Sequence, residues 1–205
     1  PDIPDEALAP DGPPVVPAYL LRDWMQATFI EEGPLHNPDH EHLRHARLGV
    51  LWTRVEYVVK GRRVAGEARE GTPSGANAWT KARQRQQLRQ WFGEEWEGRL
   101  PDFLITIDAR WVHSRLEEET PAAVCALLEH ELYHCAQATD RHGMPMFDDT
   151  KGRPKWTIAP HDIEEFTGVA ERYGAATDNL QRMEAALRHG PTVEAADIDA
   201  VCGCG

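Results

Sequence analysis

The sequence has no apolar run that approaches the roughly 18 residues of a membrane span. It is also short of positive charge. Lys and Arg total 22 against 34 Asp and Glu, a formal net charge of −12. A surface of that sign repels phosphate backbones and anionic lipid, so membrane binding and broad nucleic-acid binding are disfavoured as functions. Cysteines number only four, at 125, 135, 202 and 204. The opening Pro1-Asp2-Ile3-Pro4-Asp5-Glu6 has neither the basic start nor the apolar stretch of an export signal. The cysteines are therefore expected as reduced thiols in a cytosol and not as a disulfide framework. No internal repeat is present. What remains is an ordinary globular composition, 41% hydrophobic and 27% charged over 205 residues, which suits one domain with short extensions.

Residues 1–17 hold six prolines and read as an extended N-terminal extension. The domain is expected over 18–190, with 191–205 as a tail. A helix starts near Ala18 and stops at Gly33-Pro34, and another follows Asp39 as N-cap. Leu51, Thr53, Val55, Tyr57 and Val59 then alternate with polar positions, and Lys60-Gly61 turns the chain into Arg62–Arg69, a predicted β-hairpin. Asn77 caps a helix to Trp91 whose other face is basic (Lys81, Arg83, Arg85, Arg89), read as a solvated face. Phe103–Ile107 is a buried strand. Thr120-Pro121 opens a helix to about Ala138, Trp156–Ile158 suits a small strand, and further helices begin at Asp162 and Asp178.

The chemistry lies in His130-Glu131-Leu132-Tyr133-His134, the pattern HExxH. Residues four apart share a helix face, so two imidazoles can grip one metal ion. The apolar run before them fits a buried helix, where two histidines with nothing to bind would be costly. Zinc brings a bound water toward neutral pKa, and Glu131 is placed to take its proton as general base. A catalytic zinc needs a third protein ligand. Gln137 stands where the metzincin continuation requires glycine, which excludes that class. Downstream, His161, Glu164 and Glu165 compete for the role. Asp162-x-x-Glu165 is also a capping box, and Glu164 suits a positive helix end, so both acids have structural explanations. An acid that is not a ligand can orient His161.

The sequence resembles the phage metallopeptidase family, which is distantly similar to SprT-like zincins. The resemblance is carried by Asp39-His40-Glu41-His42-Leu43, Leu51-Trp52-Thr53, Pro101–Thr106, Glu129–Cys135, and His161–Phe166 through Arg172-Tyr173-Gly174. It implies an α+β, zincin-like fold with a small β-sheet and an HExxH helix. It also implies a zinc-dependent peptidase of phage or prophage origin that acts on a protein or peptide in the host cytosol. It places metal ligands at His130, His134 and His161 and the general base at Glu131.

A second class of function is a zinc-stabilised binding or regulatory module without turnover, with a closed fourth position filled by Glu164 or Glu165. Metal-dependent hydrolysis of a phosphodiester is a third, at odds with the net charge. His36, His40, His42 and His45 are expected to pack and cap. Cys202-Gly203-Cys204 could bind a soft metal, but a lone CxC lacks the two further ligands of a closed zinc site, and an exposed tail or packed end is the favoured reading. Cys125 and Cys135 read as small buried side chains on different faces of one helix.

Overall fold

The computed structural model describes residues 2–73, 77–118, 120–148, 152–163, 166–175 and 177–203. They form a mixed α+β fold around a small sheet whose strands lie in the order β1 (Val15–Pro17), β2 (Leu48–Thr53), β5 (Phe103–Asp108), β4 (Arg62–Glu70), β3 (Val58–Val59), with β8 (Val201–Cys202) also paired to β4. Two parts of the first seventeen residues join this fold. Helix α1 (Asp5–Leu8) buries Ala7, and β1 (Val15–Pro17) pairs antiparallel with β2 (Leu48–Thr53).

The predicted hairpin is shorter than its alternation implied. It joins β3 (Val58–Val59) to β4 (Arg62–Glu70) across Lys60 and Gly61, whose φ values of 51° and 78° suit a tight hairpin turn. β2 does not take part. Its first five residues are all buried, so it needs neighbours and covered faces on both sides, and it lies between β1 and β5 (Phe103–Asp108). β5 runs parallel to β2 and antiparallel to β4.

Strand period sorts the two sheet faces. Val50, Trp52, Phe103, Ile105 and Ile107 meet α2 (Tyr19–Met25), α4 (Ala109–Glu117) and α5 (Pro121–His134) in the main core. Leu51 and Leu104 point the other way and meet Leu88 and Phe92 of α3 (Ala78–Phe92). A core truncation such as Ile105→Ala removes about 2–5 kcal/mol of such packing. α4 has no counterpart among the helices expected from the sequence. It is announced by Asp108, whose buried carboxylate accepts from the N–H groups of Arg110 and Trp111 and pairs with Arg63 of β4.

α5 begins at Pro121 as expected, although the Thr120 hydroxyl donates to the Arg115 carbonyl and does not cap it. It ends at His134, four residues before the predicted stop. There the chain passes directly into β6 (Cys135–Gln137), which pairs with β7 (Trp156–Ile158). The helix predicted from Asp162 starts only at Thr167 (α6, Thr167–Tyr173), and α7 (Asp178–His189) follows with Thr177 as its cap. No helix among the described residues is long and apolar enough to cross a membrane.

Pro38–His45 is a 3₁₀ segment capped by Asn37, whose side-chain oxygen accepts from the Asp39 N–H. Its His40 is fully buried, edge-on to Tyr133 of α5 with ring centroids 4.6 Å apart. Burial, reinforced by the nearby His42, lowers its pKa from 6.5 to about 4. The Glu129 carboxylate, 3.7 Å from Nε2, would favour the charged ring. That distance exceeds a hydrogen bond, and desolvation wins. Because the folded-state pKa is depressed, protons bind preferentially to the unfolded chain. This part of the stability is full above pH 6.5 and lost as the pH falls to about 4. Its size is at most about 3 kcal/mol. Urea denaturation across that interval should show a steeper decline for the wild type than for His40→Leu; equal slopes would contradict a buried neutral ring.

Candidate metal centre

The site is set by the register of α5. Val124, Leu127, Leu128, Glu131 and Leu132 lie on the buried stripe that faces the sheet. Glu131 therefore points at β4 and is fully buried. His130 and His134, one turn apart, share the neighbouring face. β4 accommodates the helix with small residues, Ala65, Gly66 and Ala68, all buried. A Cβ on Gly66 would stand 2.5 Å from Glu131 Oε1, so glycine is what lets the carboxylate lie against the strand.

His161 arrives from the segment after β7. That segment is tied to the end of α5 twice: the Ala159 N–H donates to the His134 carbonyl at 2.8 Å, and His134 Nδ1 donates to the Ala159 carbonyl at 2.7 Å. These ties hold residues 161–163 in a non-helical path, which accounts for the late start of α6. The second bond also settles the tautomer. With the proton on Nδ1, the His134 Nε2 lone pair is turned toward its neighbours. His134 Nε2 lies 3.3 Å from His130 Nε2, which lies 3.2 Å from His161 Nε2.

A fourth donor atom comes from Cys202, for which the sequence favoured an exposed tail or packed end. Residues 201–202 form strand β8, which lies parallel to β4 with Cys202 opposite Gly66. The Cys202 Sγ is 3.4 Å from His134 Nε2 and 3.9 Å from Glu131 Oε2. One donor atom from each of His130, His134, His161 and Cys202 lies within 4.8 Å of all the others. The donor set fits a metal ion. Around tetrahedral zinc, two imidazole nitrogens stand about 3.3–3.4 Å apart, and a nitrogen and a thiolate sulfur about 3.5–3.6 Å. Three nitrogens and one sulfur are also the ligand types that a borderline-soft cation takes.

The other sequence candidates fall elsewhere. Glu164 and Glu165, with their proposed capping box, lie outside the described residues, as does Cys204. His40, His42 and His45 stay apart from the donor cluster. The ring of His42 meets the Cys135 carbonyl at 2.8 Å and thereby braces the end of α5. Tyr133 turns from the donors toward the 3₁₀ segment, where its hydroxyl donates to Asp39 and accepts from Asn37. Burial, together with the Asp39 carboxylate, pushes its phenol above the ordinary value. Cys125 is half-buried against the core, and the buried Cys135 thiol donates to the Glu131 carbonyl at 3.4 Å. A cleft of about 440 Å³ opens beside the donors between His130, Tyr133, His161 and Met183 of α7.

A mixed α+β fold thus gathers three imidazoles and a thiol at the end of one helix, a set that could hold a metal ion. The chain belongs to the family described as "Putative phage metallopeptidase", whose model matches residues 22–188. No curated protein and no solved structure matches it.

The packing of Glu131 against β4 predicts that Gly66→Ala loses about 1–3 kcal/mol in chemical denaturation, since the carboxylate or the strand must move. A loss below 0.5 kcal/mol, on the order of an ordinary surface change, would show that the contact is slack.

Proposed function

We propose that the protein is a zinc-dependent, zincin-like metallopeptidase of phage or prophage type. The observation that carries this reading is the convergence of the His130, His134 and His161 Nε2 atoms beside a buried glutamate. His130, His134 and His161 hold the metal, and the Ala159 carbonyl keeps His134 in the coordinating tautomer. When bound, zinc supplies Lewis acidity, which acidifies water and polarises a peptide carbonyl. Glu131 is the general base: its carboxylate takes a proton at Oε and delivers it to the departing amine. Burial against Gly66 fixes that carboxylate at one position, so little reorganisation is needed when the proton moves. The cleft bounded by Tyr133, His161 and Met183 receives the substrate, a protein or peptide. The unit that does this is the 18–190 segment, completed by residues from outside it. We place the enzyme in the bacterial host cytosol, where the thiols of Cys125, Cys135 and Cys202 persist.

A second reading has a specific observation behind it. A zinc-stabilised module without turnover requires a closed fourth position, and the Cys202 thiol stands in the donor cluster.

Metal analysis and peptide hydrolysis test the reading. The purified protein should hold one equivalent of zinc. Glu131→Gln should keep that metal while hydrolysis falls about 10²–10⁴-fold. His161→Ala should lose most of the metal. Full metal occupancy in His161→Ala, or an unchanged rate in Glu131→Gln, would remove the assigned roles.

A further inference from the structure

Residues 191–197 are exposed and carry no regular structure, but the next six are anchored. Ile198 packs against the main core and Ala200 is buried in it. The Asp199 carboxylate accepts from Trp111 Nε1 at 2.9 Å and pairs with Arg115 at 2.9 Å, both on α4. Val201 and Cys202 then pair with Val64 and Gly66, and the Gly203 N–H donates to the Gly66 carbonyl at 2.8 Å. So the thiol is delivered to the donor cluster by three independent holds: an ion pair, a buried alanine and a strand pairing.

Its position has a chemical meaning. A hydrolytic water must reach both the metal and the base. Cys202 Sγ is within reach of both, at 3.4 Å from His134 Nε2 and 3.9 Å from Glu131 Oε2. The strand that carries it lies along β4 beside the site, on the side away from β5. A strand side of this kind is where an extended peptide can add to a sheet. Thiol and strand therefore sit where the water would have to be and where the part of an extended substrate that leaves the cleft could pair with β4.

We propose that the segment Ile198–Gly203 is a built-in inhibitor: the Cys202 thiolate is the fourth ligand of the metal held by His130, His134 and His161, and activity requires β8 to leave β4. This rests on the metallopeptidase reading above. The exchange is one of ligands alone. The metal–sulfur bond breaks, the thiolate takes a proton from solvent, and water fills the position; no electron is transferred. Among the described residues β8 pairs with β4 through Val201 and Cys202, a short stretch that follows an exposed linker, so local opening of the segment is possible without unfolding the domain.

The test uses the full chain loaded with one equivalent of Co²⁺ for spectroscopy and of Zn²⁺ for assay on unstructured casein. Wild-type cobalt protein should show a thiolate-to-cobalt charge-transfer band in the near ultraviolet. Cys202→Ala should lose that band, keep its metal, and cleave casein at least tenfold faster than wild type. Cys202→Ser serves as the near-isosteric check and should behave likewise. Asp199→Ala, which keeps the thiol but removes the hold on α4, should weaken the band and raise the rate. Bound cobalt without the band, with equal rates in wild type and Cys202→Ala, would overturn the inhibitor and leave the peptidase standing. The band in wild type with no cleavage by any variant would overturn both the inhibitor and the peptidase in favour of a stabilising metal. Failure of wild type to bind cobalt would overturn the inhibitor at its root.

Discussion

Three imidazole nitrogens drawn to within hydrogen-bond distance of a common centre are the constraint around which the rest is arranged. The His134 proton is committed to the Ala159 carbonyl, so its Nε2 presents a lone pair to its neighbours. Two or three lone pairs facing one point repel; a cation there turns the repulsion into bonding. The surrounding structure is rigid enough to impose this crowding. α5 is packed through Val124, Leu127, Leu128 and Leu132, and its end is braced by His42 and by the pairing of β6 with β7.

The same helix separates two environments by register alone. A step of one residue, from His130 to Glu131, moves the side chain by about 100°. It takes it from the donor face to the face against the sheet. Glu131 consequently shares the dry environment of the core, while the imidazoles look into a cleft. A glycine opposite the carboxylate and alanines on either side of it let helix and strand approach closely enough for this to work. The β-strand that provides those small residues also pairs with residues 201–202, so the donor cluster and that pairing adjoin.

Much of this was legible in the sequence. The spacing of His130 and His134 placed them on one helix face, Pro121 marked the start of that helix, and the β-branched run Phe103–Ile107 marked the central strand. His161 was one of three candidates, and its ring reaches the cluster; the other two, Glu164 and Glu165, lie outside the described residues. Other features were hidden for physical reasons. The pairing of β2 with β5, in place of β4, depends on burial of both faces of β2, which local alternation does not report. The helix predicted at Asp162 had good capping signals, but tertiary bonds to the end of α5 overrode them. Soft-metal binding by Cys202 was the less favoured reading, because a CxC sequence carries no information about which strand it will pair with. The hint was there in Ile198 and Ala200-Val201-Cys202, a brief apolar stretch after a polar linker.

The account is tested most directly by a crystal structure of the zinc-loaded protein with data collected on both sides of the zinc absorption edge. A single anomalous peak about 2.0–2.1 Å from the Nε2 atoms of His130, His134 and His161 is the predicted result. A peak elsewhere on the molecule, or imidazoles that remain in place around no peak at all, would contradict it.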